Sequence, residues 1–391
     1  MIARAFPLFV LLILLPDSYL YLRYMRRRSV AWWWKVLWWM VTAVLLFFTC
    51  WLALSRDFTP QPYTPLLIYL FIMGVFIVPK ALYALCLWVG RVLTRRRHPR
   101  RNWGSFAGGV LALLSVYVTI YGSFRGFELL EVNRSDCYAE GLPESYEGYR
   151  VAVFSDIHLG SYSGIHKRVI HDMVDSINAL HPDVVLFLGD IQNTRPEEIE
   201  PHILELSRLS APDGVYSILG NHDYSKYMGS SRMEKMAAEK KTRDCQARMG
   251  WRLLRNEHVV LRHGSDSLVI AGVEGNEEWN TDHGYSHPEI ALRGVDERSF
   301  TIMLVHNPKR WRMDVLPMTK AQLTVSGHTH GGQVSLLGLS PTVIVYPEDA
   351  GWYEQDGRQL YVTKGVGALI PLRFNVNSEV ALITLHQKKK P

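Results

Sequence analysis

Four apolar stretches, at about 5–22, 31–54, 65–90 and 104–124, fill the first third of this 391-residue chain. A helix needs roughly 20 residues to cross hydrocarbon, so each is long enough to span a bilayer. There every backbone N–H and C=O must be satisfied within the segment, which makes these runs helices. The first lacks a basic region beyond Arg4 and has no small-x-small cleavage site, so it reads as a retained helix and not a signal peptide. Trp32, Trp33, Trp34, Trp38 and Trp39 have the look of an interfacial aromatic belt. The chain therefore divides into a transmembrane region (1–124), a polar connector (125–148) and a second domain (149–388).

The net charge of +6 comes largely from two clusters beside apolar stretches, Arg23 to Arg28 and Arg91 to Arg101. That placement marks cytoplasmic membrane flanks, not a nucleic-acid surface. The loop between the second and third helices carries only Arg56, offset by Asp57. The positive-inside rule then puts the N-terminus and everything after residue 124 outside the cytoplasm. Lys80 lies roughly 16 Å along a helix from the Arg91 flank, too deep for easy snorkelling. Asp17 is the other charge within a span, and the two are expected to pair. With so few intramembrane charges, a packing pair fits better than a transport path.

From Tyr149 onward, short apolar runs end in polar residues and alternate with helical stretches. The expected strands are Arg150–Phe154, Asp183–Leu188, Val215–Leu219, Ser267–Ala271, Phe300–Val305, Gln322–Val325, Gln359–Thr363 and Glu379–Leu385. Helices are expected over Val169–Leu180, Ile199–Leu209 and Met233–Met249, the last as a solvated face. Strand–helix alternation indicates an α/β domain. Open sheets place their ligand sites beyond strand C-termini, where the polar residues recur.

Those residues are Asp156 and His158, Asp190, Asn221-His222-Asp223, His306, and His328 and His330. Carboxylate, imidazole and amide ligands suit hard or borderline divalent metals. Asp190 has two oxygens and can bridge two ions, and Asn221 adds a neutral oxygen. Two ions about 3.5–4 Å apart can hold a bridging hydroxide and a phosphate. His222 is placed to protonate a leaving oxygen, and Asp223 to orient His222 or raise its pKa. Each piece alone has a plain reading: Asp-x-His or Gly-Asn-His-Asp is a turn, and a lone His306 is a core or surface histidine. Their joint order is what points to a dinuclear centre.

This ordered set, with Gly189-Asp190, Gly220-Asn-His-Asp223 and Gly327-His-Thr-His-Gly-Gly-Gln333, resembles the calcineurin-like metallophosphoesterases over about 149–386. With the membrane prefix it is similar to the bacterial membrane-associated branch that includes YkuE. The resemblance implies a two-sheet αββα sandwich. It implies one metal on Asp156, His158, Asp190 and His330, and a second on Asp190, Asn221, His306 and His328, with His222 on the phosphate or leaving group. The ions would be Mn, Fe or Zn. Gln192-Asn193 departs from the family, where an acidic residue is often seen.

The expectation is thus a membrane-anchored phosphoric ester hydrolase, multi-pass in a bacterial inner membrane, acting outside the cytoplasm on a phosphate ester or anhydride. A membrane tether suits a phosphorylated substrate that is lipid-linked. The alternatives are a cytoplasm-facing pyrophosphatase resembling UDP-diacylglucosamine hydrolases, and a non-catalytic metal-binding scaffold. Glu274, Glu277 and Glu278 are candidates for the pocket wall, and Arg373 for an anion site or a salt bridge. His166, His171, His181, His202, His258, His263, His283 and His287 read as surface residues. Cys137 and Cys245 could bond only outside the cytoplasm, and no CxxC spacing suggests a thiolate metal site.

Overall fold

A computed structural model of the chain describes residues 2–388 except 27, 95–101, 163–165, 167 and 275–285. Arg27, the arginines of 95–101, Glu277, Glu278 and His283 therefore lie outside the described residues. The chain forms two units, Met1–Arg125 and Gly126–Pro391.

Among the described residues, four helices of the first unit are long and apolar enough to cross a membrane. They comprise Phe6–Leu20, Trp32–Ala53, Thr64–Thr94 and Trp103–Phe124. The third widens into a π turn at Met73–Ile77, just before Pro79. Pro79 has no N–H to give the helix ladder, and a local turn of this kind accommodates that. The fourth helix packs so closely on the third that a Cβ on Gly104 would collide with the Cys86 carbonyl. Small residues permit such approach where lipid offers no hydrophobic drive to association.

The Asp17–Lys80 pair is present. Lys80 Nζ lies 2.6 Å from Asp17 Oδ1. Thr42 Oγ1 donates to the other carboxylate oxygen at 2.6 Å. The ammonium also sits 5.5 Å from the centre of the Trp38 ring. Asp17 is buried, so its charge is compensated by a cation and a hydroxyl together.

The second unit is a sandwich of two six-stranded sheets, in the orders β1-β12-β2-β3-β4-β5 and β10-β11-β9-β8-β7-β6. The first sheet holds β1 (Leu130–Ala139), β2 (Arg150–Phe154), β3 (Val184–Phe187), β4 (Val215–Ser217), β5 (Arg252–Leu253) and β12 (Ser378–Gln387). The second holds β6 (Glu257–His263), β7 (Asp266–Gly272), β8 (Phe300–Leu304), β9 (Leu323–Ser326), β10 (Gly351–Gln355) and β11 (Arg358–Val362). Side chains alternate along a strand, so one strand serves two layers. Val151 and Val153 join Val184, Leu186, Ile270, Ile302 and Val325 between the sheets. Ala152 and Phe154 face outward to Ile170, Met173 and Ile177 of the helix Arg168–Ala179. Each such buried apolar side chain contributes about 2 kcal/mol. Met303, Val305, Trp311 and Val315 close the outer face of the second sheet.

Three expectations change. The presumed connector 125–148 contains β1, which pairs in parallel with β12 from Leu130–Ser378 to Ala139–Gln387. Ile199–Leu209 is not a continuous helix. Short turns at Pro196–Glu198 and Glu200–His202 precede a single helical turn, Ile203–Leu206. Pro201 lacks an N–H and disfavours helix at the residue before it. The charged helix Arg232–Arg248 is not merely solvated, since it buries Ala238, Thr242, Cys245 and Gln246. Cys137 and Cys245 are free thiols in different core clusters.

Replacing only Asp17 by Leu, or only Lys80 by Met, leaves one charge in the helix bundle without its counterion. Each single variant should destabilise the membrane unit by about 3 kcal/mol, and the double variant should recover most of that. Thermal unfolding of the full chain in detergent, comparing the two singles with the double, checks this.

Candidate metal centre

Parallel strands deliver the polar loops to one edge. β2, β3 and β4 run parallel, as do β7, β8 and β9. Asp156 and His158 follow β2, Asp190 follows β3, and Asn221-His222-Asp223 follows β4. His306 follows β8, and His328 and His330 follow β9. The loops are tied across the sandwich. The His328 amide donates to Asp156 Oδ2 at 2.9 Å, and the Asp156 amide to the Gly189 carbonyl at 2.9 Å.

The chain bends hard to do this. Asp156, His158, Asp190, His328 and His330 all have positive φ, from 52° to 75°. Left-handed backbone costs a non-glycine residue about 1–2 kcal/mol. Strain of this kind persists where surrounding structure fixes it, and it gathers at functional sites. Gly220 is required for a different reason: a Cβ there would strike the Asp190 carboxylate.

Two ligand clusters result, and Asp190, a member of the second, also approaches His158 of the first. Asp190 Oδ2 lies 3.8 Å from His158 Nε2 and 3.3 Å from His306 Nε2. On one side, Asp156, His158 and His330 bring their ligand atoms within 4.8 Å of one another. On the other, Asp190, His306 and His328 do the same. Asn221 Oδ1 joins this second cluster at 3.1 Å from His306 Nε2.

Backbone carbonyls set the imidazole tautomers, because a carbonyl can only accept. His306 Nδ1–H donates to the Leu188 carbonyl at 2.7 Å, and His330 Nδ1–H to the Gly367 carbonyl at 3.1 Å. Their Nε2 atoms therefore point into the clusters. His328 is turned the other way: Nε2 meets the Tyr346 hydroxyl at 2.9 Å, and Nδ1 faces His306 Nε2 at 3.2 Å. Such outer partners are what orient metal-binding imidazoles.

The donor set fits divalent cations. Asp156 Oδ1 and both ring nitrogens of His158 are buried without a hydrogen bond. Unpaired buried polar atoms are costly, and a cation satisfies them. Burial, joined by the neighbouring His222, holds the His158 imidazole well below its ordinary value. Burial and the Arg373 guanidinium push His330 down to about 3. Both are thus neutral at pH 7, as ligands must be. Burial alone would raise the Asp190 carboxyl, but His306, His222 and His158 outweigh it and hold it well below the carboxylate range. Burial likewise opposes charge on His306, yet Asp190 lifts that imidazole to about 10. A cation held by these residues would take the place of that proton.

His222 sits over the clusters, with a ligand atom within 4.8 Å of those of Asp190 and His158. Its amide donates to Asp190 Oδ1 at 2.8 Å. Its Nδ1–H donates to the Asn193 carbonyl, which leaves Nε2 for proton exchange. Asp223 does not orient His222. Its buried carboxylate instead accepts the amides of Asp190 at 2.7 Å, Ile191 at 2.9 Å and Gly220 at 2.9 Å. It clamps the β3 and β4 loops together, with its carboxyl pushed up to about 7 by burial and by Asp190. Gln192 and Asn193 make a neutral network in this region. The Gln192 amide donates to the His222 carbonyl at 3.1 Å, and Thr242 donates to Gln192 at 2.9 Å.

Other candidates take different roles. Among the described residues Arg373 forms no salt bridge. It is fully buried and donates to the carbonyls of Lys364, Gly365 and Gly367 at 2.8, 3.0 and 2.6 Å. Glu274 is buried against Arg255 and the Tyr224 hydroxyl. His166 is no surface residue, being buried against Phe127 beside Glu128. The carbonyls of Leu188, Asn193 and Gly367 were invisible in the sequence, since any residue type supplies one. Tyr346 and Tyr227, which binds the Asn221 amide at 3.0 Å, carry no spacing signal either.

Comparison with known proteins agrees with this geometry. The model described as "Calcineurin-like phosphoesterase" matches residues 149–332. The model described as "Probable Calcineurin-like phosphoesterase, transmembrane domain" matches residues 3–127. The chain is 29% identical over 305 residues to the Bacillus subtilis metallophosphoesterase YkuE, covering 75% of this chain and 98% of that one. It is 29% identical over 349 residues to a Danio rerio transmembrane protein with a metallophosphoesterase domain, covering 86% and 74%. An Aquifex aeolicus metallophosphoesterase is 27% identical over 278 residues, covering 69% and 97%.

Asp223→Asn replaces two acceptor oxygens with one and sets an amide against backbone N–H groups. Metal affinity should fall roughly 10- to 100-fold, as for other groups that position ligands. Metal analysis of the purified full chain across a range of added Mn²⁺ or Zn²⁺ measures it.

Proposed function

The chain belongs to the calcineurin-like phosphoesterases and carries their four-helix membrane domain, and on that premise we propose that it is a membrane-anchored dinuclear-metal hydrolase of phosphate esters or anhydrides. The observation that carries the reading is the position of Asp190 Oδ2, 3.8 Å from His158 Nε2 in one cluster and 3.3 Å from His306 Nε2 in the other. Asp156, His158, Asp190 and His330 would hold one cation, and Asp190, Asn221, His306 and His328 the other. Oxygen and nitrogen ligands without thiolate accommodate Mn, Fe or Zn. When bound, two such cations neutralise phosphate charge and lower the pKa of a water molecule.

The protein's own groups divide the remaining work. In hydrolysis a water oxygen bonds to phosphorus, the ester P–O bond breaks, and the leaving oxygen needs a proton. His222, when protonated, carries that proton on Nε2, because Nδ1–H is committed to the Asn193 carbonyl. Asn193 is itself fixed by its side-chain amide on Ser161 Oγ at 3.0 Å. The carbonyls of Leu188 and Gly367 keep His306 and His330 in the right tautomer.

The membrane tether favours a substrate at the bilayer, and the distribution of arginines favours a catalytic domain on the outer side of a bacterial inner membrane. A C-terminal fusion reporter active only in the cytoplasm should stay dark. A bright signal would instead favour the cytoplasm-facing nucleotide-sugar-lipid pyrophosphatase.

Hydrolysis separates an enzyme from a metal-binding scaffold. His222→Ala should cut kcat on an aryl phosphate by about 10²- to 10⁴-fold while the bound metal content stays near that of the parent chain. Steady-state rates paired with metal analysis check this, and full turnover by the variant removes His222 from the mechanism.

A further inference from the structure

The segment from Gln333 to Tyr346 breaks an ordinary rule of surface chemistry. Loops in water are polar, and contiguous exposed apolar patches mark contact sites. Here Leu336, Leu337, Leu339, Val343, Ile344 and Val345 are all exposed, Leu337 completely and Ile344 by 87%. Leu336 and Leu339 exchange both backbone hydrogen bonds at 3.0 Å around a two-residue turn. Leu337 at its tip has φ 53°. Asn, Asp or Gly suits that position, and a leucine pays there in backbone strain and in apolar area left in water. A local choice that contradicts its own environment signals function.

Both ends of the segment are anchored at the metal centre. Gln333 lies three residues after His330, and its amide donates to the carbonyls of Ile370 and Leu372 at 2.9 and 2.8 Å. At the other end Tyr346 meets His328 Nε2 at 2.9 Å. Within it, Thr342 bonds to Asp349, whose carbonyl accepts Thr329 Oγ1 at 2.6 Å. The Lys309 ammonium lies 4.4 Å from the centre of the Tyr346 ring. An apolar rim is therefore tied to the candidate metal centre, with a lysine beside the junction.

We infer that this rim receives the hydrocarbon chain of an amphiphilic phosphate ester, so that the substrate is a lipid phosphate recognised at both its ends. The inference rests on the hydrolase reading above and specifies its substrate class. The occupant follows from continuity: the segment that carries the patch starts three residues after His330 and ends at Tyr346 on His328, and a single molecule with an anionic head and an apolar tail matches both surfaces. The chain's own membrane-length helices put it where such molecules are concentrated.

The test uses the full chain in lipid nanodiscs. Ethyl and decyl phosphates, and the corresponding alkyl 4-nitrophenyl phosphodiesters, are the probes. The readout is the decyl-to-ethyl ratio of kcat/KM, in the parent chain and in Leu337→Asn/Ile344→Ser. Each buried methylene is worth about fourfold in binding. Partitioning of the decyl chain into the disc is common to both proteins and cancels. The expected result is a ratio at least tenfold lower in the variant, with the ratio restored in Leu337→Met/Ile344→Val. An equal ratio in parent and variant overturns the inference, as does an equal ratio accompanied by loss of self-association, which assigns the patch to a second copy. Failure of the parent chain to hydrolyse any of the esters overturns the hydrolase reading itself, and with it this one.

Discussion

Asp190 is the residue on which the second unit's architecture turns. A single carboxylate oxygen lies within 4 Å of imidazoles from both sheets, His158 from the β2 loop and His306 from the β8 loop. Each of those loops belongs to a separately hydrogen-bonded sheet, so the relation between the sheets is set at this carboxylate as well as by the apolar layer between them. The left-handed backbone at Asp190, the absence of a Cβ at Gly220 and the amide clamp of Asp223 all serve to hold that carboxylate in place.

Position and protonation are controlled by different parts of the chain. Strand ends place the ligands, while carbonyls from unrelated loops decide which imidazole nitrogen faces inward. Arg373 illustrates the separation. Its guanidinium gathers the carbonyls of Gly365 and Gly367, and the Gly367 carbonyl then fixes His330. Among the described residues its hydrogen-bond partners are backbone carbonyls, so this buried guanidinium organises loops.

Legibility in the sequence followed the range of the interaction. The membrane helices and the strands β2, β3, β4, β8 and β9 are local apolar runs, and the ligand types stand immediately beyond them, so periodicity and residue chemistry were enough. The Asp17–Lys80 pair was also readable, because hydrocarbon leaves few partners for a charge. β1 was not readable. Its outward positions Arg134 and Asp136 make it look like a connector, and its pairing partner lies about 250 residues away. Asp223 was misread because its neighbour in sequence, His222, is not its neighbour in hydrogen bonding. The exposed leucines of 336–339 were passed over, since an apolar run looks the same in sequence whether it is buried or left in water.

The place of β12 has a consequence for how the protein is made. It lies between β1 and β2, both synthesised more than 220 residues earlier. At roughly 5–20 residues per second, the ribosome needs on the order of 10–45 seconds to supply it. Throughout that interval β1 has no strand partner and one edge of β2 is unpaired. Assembly of this domain is therefore gated by translation, with the membrane helices already complete while the sheet still waits for the strand that joins its halves.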